Sequence, residues 1–252
     1  PLPMSLKYIN LYLIEDDTSW VIVDTGIRGN ETETLWKQII GTQLGGKPVS
    51  KVICTHMHPD HTGQSGFLCE TLRVPLYMSF GEYYQAKSMG MMFREGGNWA
   101  MSEYFVRAGI EPGFMDQMRQ NRSNFAPQPE DHPLPPAFIR LKDRDTLQIG
   151  DTEWTVIVGS GHSPEHVCLY SKGLRVLISG DQILPVITSN VSVHPTEPFA
   201  NPMVGWLDSH VRFKELLPDD ILVLPAHNLP FYGVQARLQQ LIDHHEDRML
   251  IL

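Results

Sequence analysis

Cysteine is scarce in this chain. Cys54, Cys69 and Cys168 are its three, scattered over 252 residues, too few and too far apart for the disulfide framework of a small secreted domain. Each reads as a small buried apolar residue, as free cysteine commonly is, in a reducing compartment. Positive charge is also short: 20 Lys and Arg against 29 Asp and Glu give a formal charge of −9, with no Lys/Arg cluster to offset it. The electrostatic footprint that grips a phosphate backbone is therefore missing, and nucleic acid is not an expected partner. No apolar run approaches the ~18–20 residues of a membrane span, and no signal-peptide pattern is visible after Pro1. The expectation is a cytoplasmic protein with no membrane partner. Repeats and low-complexity tracts are absent as well.

What is present suits an ordinary globular protein with a sizeable core: 42% hydrophobic and 19% charged residues in a chain long enough for one large domain or two small ones. "KYINLYLI" and "SWVIVDTG" read as strands joined at "EDDTS", a hairpin. "ETETLWKQIIGTQL" places Leu35, Ile39 and Ile40 at helical spacing before Gly45 and Gly46 stop it. "VSKVICT" is a buried strand, "GQSGFLCETL" a helix and "VPLYMS" the next strand. From about 80 to 136 the texture changes, with six of the eleven Met and the Pro-rich "APQPEDHPLPP". We read this as a helical, Met-rich insertion, either ordinary helix packing or an adaptable apolar lid over a substrate. Strand signals return in "AFIRL", "TLQIG", "EWTVIVG", "HVCLYS" and "LRVLISGD". Helix "MVGWLDSHVRFKELL", strand "DILVLP" and a C-terminal amphipathic helix close the chain. Two similar rounds of strands and helices predict two sheets with helices outside, in one domain over 1–252.

The chemistry concentrates in "CTHMHPDHTG", residues 54–63, where His56, His58, Asp60 and His61 occupy six positions. Imidazoles and carboxylates are the usual ligands of zinc and related divalent ions. On an extended backbone, His56 and His58 point the same way, while Asp60 and His61 fall on the turning loop and face a second ion. Three further ligand types stand where apolar strands start or stop: His166 in "GHSPEHV", Asp181 at the end of "VLISGD", and His227 in "LPAHN".

The set "VDTG", "THMHPDH", "GHSPEH", "SGD" and "LPAH", in that order over nearly the whole chain, resembles the metallo-β-lactamase superfamily. That resemblance implies an α+β, four-layer αββα sandwich with a two-metal centre at one sheet edge. It places His56, His58 and His166 on one metal, Asp60, His61 and His227 on the other, and Asp181 between them as the bridge, with Asp24 supporting the ligand loop. It further implies a metallohydrolase using a hydroxide shared by two divalent ions, zinc first and iron or manganese as alternatives, with Asp60 and Asp181 as the catalytic carboxylates. The bridging aspartate together with His61 looks more like glyoxalase II and lactonases than like antibiotic-cleaving members. A small ester or thioester is the expected substrate, a homodimer remains open, and no Ser or Cys nucleophile is needed.

Three alternatives stand beside this reading: a mononuclear iron enzyme of the persulfide dioxygenase kind, a lactonase or phosphodiesterase of the same fold, and a non-catalytic binding protein. Weaker candidates are His162 and His194, as substrate contacts or polar loop residues. His132, His210, His244 and His245 read as surface or helix positions, Tyr232 as a packed helix aromatic or a residue at the pocket mouth, and Trp36, Trp154 and Trp206 as core. Glu165 stands where the family often has Gly and is expected in solvent. "GTQLGGK", residues 41–47, mimics half of a phosphate-binding loop, but Pro48 follows and the segment leads from helix to strand, the reverse of the required order.

Overall fold

A computed structural model describes residues 2, 6–92, 99–111 and 132–250. Alternation along the strands decides the layers, because successive side chains of a strand face opposite sides. In β2 (Trp20–Val23), Ile22 packs under the helices while Val21 and Val23 join the central core. In β8 (His166–Ser171), Val167 and Leu169 face that same centre and Cys168 faces the other way. Each sheet therefore buries both faces, as strands with near-continuous apolar runs must.

The first sheet has the order β1 (Tyr12–Glu15), β2, β3 (Val49–Ile53), β4 (Leu76–Ser79), β5 (Ile139–Leu141). The second runs β10 (Leu222–Pro225), β9 (Val176–Gly180), β8, β7 (Thr152–Gly159), β6 (Thr146–Ile149). The hairpin expected at "EDDTS" is there, β1 and β2 pairing antiparallel from Tyr12 opposite Val23 to Glu15 opposite Trp20. Ile53, Leu141, Trp154, Val156, Leu169 and Ile178 fill the space between the sheets. Helix α1 (Asn30–Thr42) and α3 (Ser65–Leu72) cover the first sheet through Trp36, Phe67 and Leu68. On the second sheet lie α6 (Pro202–Leu216) and α7 (Val234–Met249), the latter burying Val234, Leu238, Leu241, Ile242 and His245 at helical spacing. This is the expected αββα sandwich.

Local departures have simple causes. Trp36, rather than Leu35, carries the buried face of α1: its indole donates to the Thr25 carbonyl at 2.7 Å, while Leu35 is exposed. Tyr232 precedes α7 and is exposed, so it packs no helix. Of the segment 80–136, α4 (Phe80–Met92) and α5 (Trp99–Arg107) are described; 93–98 and 112–131, with most of the Pro-rich run, lie outside the described residues. The Tyr104 hydroxyl donates to the Val193 carbonyl and Gln85 to the Thr196 hydroxyl, which ties these helices to the loop after β9. Among the described residues no helix is long and apolar enough to cross a membrane.

His210 sits on a helix as expected, yet it is wholly buried on α6 under the second sheet. Its Nδ1–H donates to the Trp206 carbonyl at 2.7 Å, and burial pushes its pKa down to about 4. A histidine whose folded pKa lies below its unfolded 6.5 costs stability as pH falls from 6.5 toward 4, because the unfolded chain takes a proton that the folded one refuses. At about 1.4 kcal/mol per unit the loss reaches about 3 kcal/mol. In urea unfolding of the metal-free protein, His210→Phe is expected to flatten the wild-type decline in stability over that window; an unchanged slope would refute the assignment.

Candidate metal centre

The strands of both sheets end at one edge of the sandwich, and the loops leaving them carry the ligand-type residues. β3 runs out at Ile53 into Thr55–His58. His58 is still extended, φ −64 and ψ 150, and caps the short helix α2 (Pro59–Thr62), whose first turn supplies Asp60 and His61. β7 ends at Gly159 before the turn that holds His162. β9 ends at Gly180, immediately before Asp181, and β10 ends at Pro225, two residues before His227.

Two donor groups result. In the first, one ligand-type atom each from His56, His58, His162 and Asp181 lies within 4.8 Å of all the others; in the second the same holds for Asp60, His61 and His227. Within the first, His56 Nε2 is 2.9 Å from His58 Nδ1 and 3.2 Å from His162 Nε2, and Asp181 Oδ2 is 3.4 Å from His162 Nε2. Around the second, Asp60 Oδ2 is 3.4 Å from His227 Nε2 and 3.8 Å from His61 Nε2. Asp181 Oδ1 lies 3.4 Å from His227 Nε2 and 3.6 Å from His61 Nε2. Thus the two oxygens of Asp181 face different groups.

The donor set fits divalent cations. Four ligands at about 2.0–2.1 Å around a tetrahedral ion stand about 3.3 Å apart, close to these spacings. Tautomers agree. His61 Nδ1 faces the Asp24 carboxylate at 2.8 Å, His162 Nδ1 the Asn190 carbonyl at 2.7 Å, and His227 Nδ1 the Tyr8 carbonyl at 3.1 Å. Carboxylates and carbonyls only accept, so each outer nitrogen carries a proton, and the inner nitrogen is the one turned toward the centre for a cation to take. Three of the inner atoms, His61 Nε2, His227 Nε2 and Asp181 Oδ1, are buried with no hydrogen-bond partner, a cost that a bound cation removes.

The supports are built from the same loops. Asp24, at φ 62, accepts from the Thr55 amide at 2.8 Å and from its hydroxyl, so "VDTG" does brace the ligand loop. The Thr25 hydroxyl donates to the His61 carbonyl at 2.7 Å. At Gly180, φ 51, an added Cβ would stand 2.5 Å from His166 Cε1, so only glycine lets that ring lie under the centre.

Electrostatics divide the groups. Burial, reinforced by the neighbouring imidazoles, holds His56 well below the usual histidine range and His58 down at about 3. Burial also opposes charge on His61 and His227, but Asp24 and Asp181 overcome it at His61, and Asp181 and Asp60 raise His227 to about 9. The Asp181 carboxyl is driven well below its ordinary value: burial raises it, and His61, His162 and His227 outweigh that.

His166 departs from the expected arrangement, in which it joins His56 and His58. As the first residue of β8 it points beneath the centre: its Nε2 accepts the Asp181 amide at 3.0 Å, its ring stacks on His56, and Cys168 Sγ is 3.8 Å from Nδ1. That lone pair is already used. His162, four residues earlier and on the open turn, supplies the donor instead. Glu165 is not in solvent but accepts the Gly81 amide at 2.8 Å. Glu82, which no sequence pattern singles out, is fully buried beside both loops. All three cysteines are free and buried, and "GTQLGGK" leads from α1 into β3 as expected. Beside His162 opens a cavity of about 210 Å³, lined also by Ser163, Ser192, His194, Glu197 and Asn201.

Comparison with known proteins places these features in a lineage. The Metallo-beta-lactamase superfamily profile matches residues 5–227. A beta-lactamase domain protein from Burkholderia ambifaria has 41% identity and a TM-score of 0.86, over 98% of this chain and 71% of that one. The probable metallo-hydrolase YqjP of Bacillus subtilis is 21% identical over 98% of this chain and 76% of its own length. The acyl-coenzyme A thioesterase MBLAC2 of Bos taurus is 29% identical over 69% of this chain and 58% of its own length.

Proposed function

The chain belongs to the metallo-beta-lactamase superfamily, as a metallohydrolase with a His/Asp metal site, and from that premise we propose that it holds two ions and cleaves a small ester or thioester. His56, His58, His162 and Asp181 would hold one ion and Asp60, His61, His227 and Asp181 the other. The observation that carries this reading is the division of the Asp181 oxygens, Oδ1 toward His61 and His227 and Oδ2 toward His56 and His162. Bound divalent ions supply Lewis acidity and a water deprotonated near neutral pH, with zinc the first choice for this ligand set.

The chain's own groups do the rest. Asp24, the Asn190 carbonyl and the Tyr8 carbonyl fix the imidazole tautomers. Asp60, beside His227 and His61, would take the proton that water gives up. The cavity of about 210 Å³ beside His162, with His194 and Ser192 on its wall, would take part of a small substrate next to the first donor group. A thioester is favoured by the likeness to an acyl-coenzyme A thioesterase. A one-iron oxygenase would leave the Asp60, His61 and His227 group without a purpose.

Elemental analysis of native protein is expected to give about two zinc-like ions per chain, with hydrolysis in a panel of thioesters, esters, lactones and phosphodiesters strongest on the first two. Chelation is expected to abolish that activity and added zinc to restore it. One iron per chain with oxygen consumption would replace this reading with the oxygenase.

A further inference from the structure

Between the two sheets, at the site edge, a buried carboxylate joins two loops. Glu82 stands in the first turn of α4, directly after β4, with no exposure. Its Oε2 accepts the Met57 amide at 2.8 Å and its Oε1 the Glu165 amide at 2.7 Å. The clasp is reciprocal: Glu165 Oε2 accepts the Gly81 amide at 2.8 Å, and the Ser79 hydroxyl donates to the Glu165 carbonyl at 2.7 Å. Met57 lies between His56 and His58. Glu165 is three residues from His162. One side chain thus spans the separate loops, from separate sheets, that bring the three imidazoles of the first donor group together.

Packing alone does not explain an acid here. Burial pushes the Glu82 pKa up from 4.5 to about 7 against the hydrogen bonds that favour its charged form, so it is the partners of the acid, not the space it fills, that account for it. Two inward-pointing amides need two acceptors on one side chain. A carboxylate has them; glutamine would set its own NH₂ against one of the amides.

We propose that Glu82 is a positioning residue for the first metal-binding group: by fixing the Met57 and Glu165 amides on one carboxylate, it sets the separation of the His56–His58 and His162 loops and so the affinity of the ion they share. This rests on the metal-centre reading above. In the second group His61 is held by Asp24 and His227 by the Tyr8 carbonyl, while Glu82 bonds the amides that flank the first group.

The test measures stepwise affinities by competition between the full-length protein and a chromophoric chelator, with Zn(II) and Co(II), alongside Co(II) visible spectra and Tm. His162→Ala and His227→Ala mark which step belongs to which group. Glu82→Gln is expected to weaken by about 10–100-fold the step that His162→Ala removes, to change the Co(II) bands of that step, and to leave the step marked by His227→Ala in place. Leu238→Ala, in the core under the second sheet, is expected to lower Tm without moving either affinity. Wild-type affinities in Glu82→Gln overturn the proposal, as does an equal loss at both steps. Should Glu82→Gln be recovered unfolded, Glu82→Asp carries the test: both acceptors remain on a stem one methylene shorter, the same one-step loss is expected, and unchanged affinities refute it. A wild-type protein that takes up no metal sinks the metal-centre reading and this inference with it; a metal-loaded wild type matched by its Glu82 variants sinks the inference alone.

Discussion

Asp181→Asn is expected to reduce hydrolysis by on the order of 10³-fold or more and to lower the affinity of both ions together. The substitution keeps the side chain's shape, so it leaves no cavity, and it removes the charge that both donor groups share. No other residue among those described sends one oxygen to His162 and His56 and the other to His61 and His227. Electrostatic stabilisation by metal ions contributes several kcal/mol to such reactions, and three decades of rate correspond to about 4 kcal/mol. Metal content, measured by elemental analysis after exhaustive dialysis, checks the cause: the variant should fall below the wild type at both steps of a chelator titration.

A second readout needs no metal. Asp181 is the leading influence that raises His227 to about 9 against the effect of burial. In metal-free Asp181→Asn, an NMR titration is expected to show the His227 imidazole releasing its proton at lower pH than in the metal-free wild type. If His227 titrates unchanged and both ions stay bound, Asp181 does not bridge.

Much of this was legible in the chain, and the part that was not has physical reasons. Apolar runs gave the strands their places because both sheets are buried on both faces, so that "WVIV", "VICT" and "VLISG" have no solvent side to confuse the pattern. Local clustering made "THMHPDH" readable, since residues within six positions on a bending loop must stay close. Partners set by tertiary contact were harder. Leu35 and Trp36 share one turn of α1, and which is buried depends on the Thr25 carbonyl that the indole reaches. Glu82 belongs to no motif; its meaning arises only where the β4–α4 junction meets the β7–β8 loop. His210 looks like an ordinary polar residue of an amphipathic helix until α6 packs its face on the second sheet.

The histidines of "GHSPEH" show the same limit most sharply, and they yield the second large effect. His162→Ala is expected to weaken one ion by about 100-fold or more, beyond what loss of a mere supporting contact costs, and to depress hydrolysis with it. His166→Ala is expected to keep both ions but to fold less stably. Its removal strands the buried Asp181 amide, worth about 1–3 kcal/mol, and empties the space beneath His56. Sequence spacing alone does not rank two histidines four apart. Strand register does: His166 opens β8 and pairs opposite Gly159, which commits its ring to the interior, whereas His162 sits on the turn with its outer nitrogen bonded to Asn190 and its inner one facing Asp181. Chelator competition and thermal melts on the two variants separate the roles. The reverse pattern, in which His166→Ala loses an ion and His162→Ala retains both, would return the donor role to His166 and require the β7–β8 loop to turn over when metal binds.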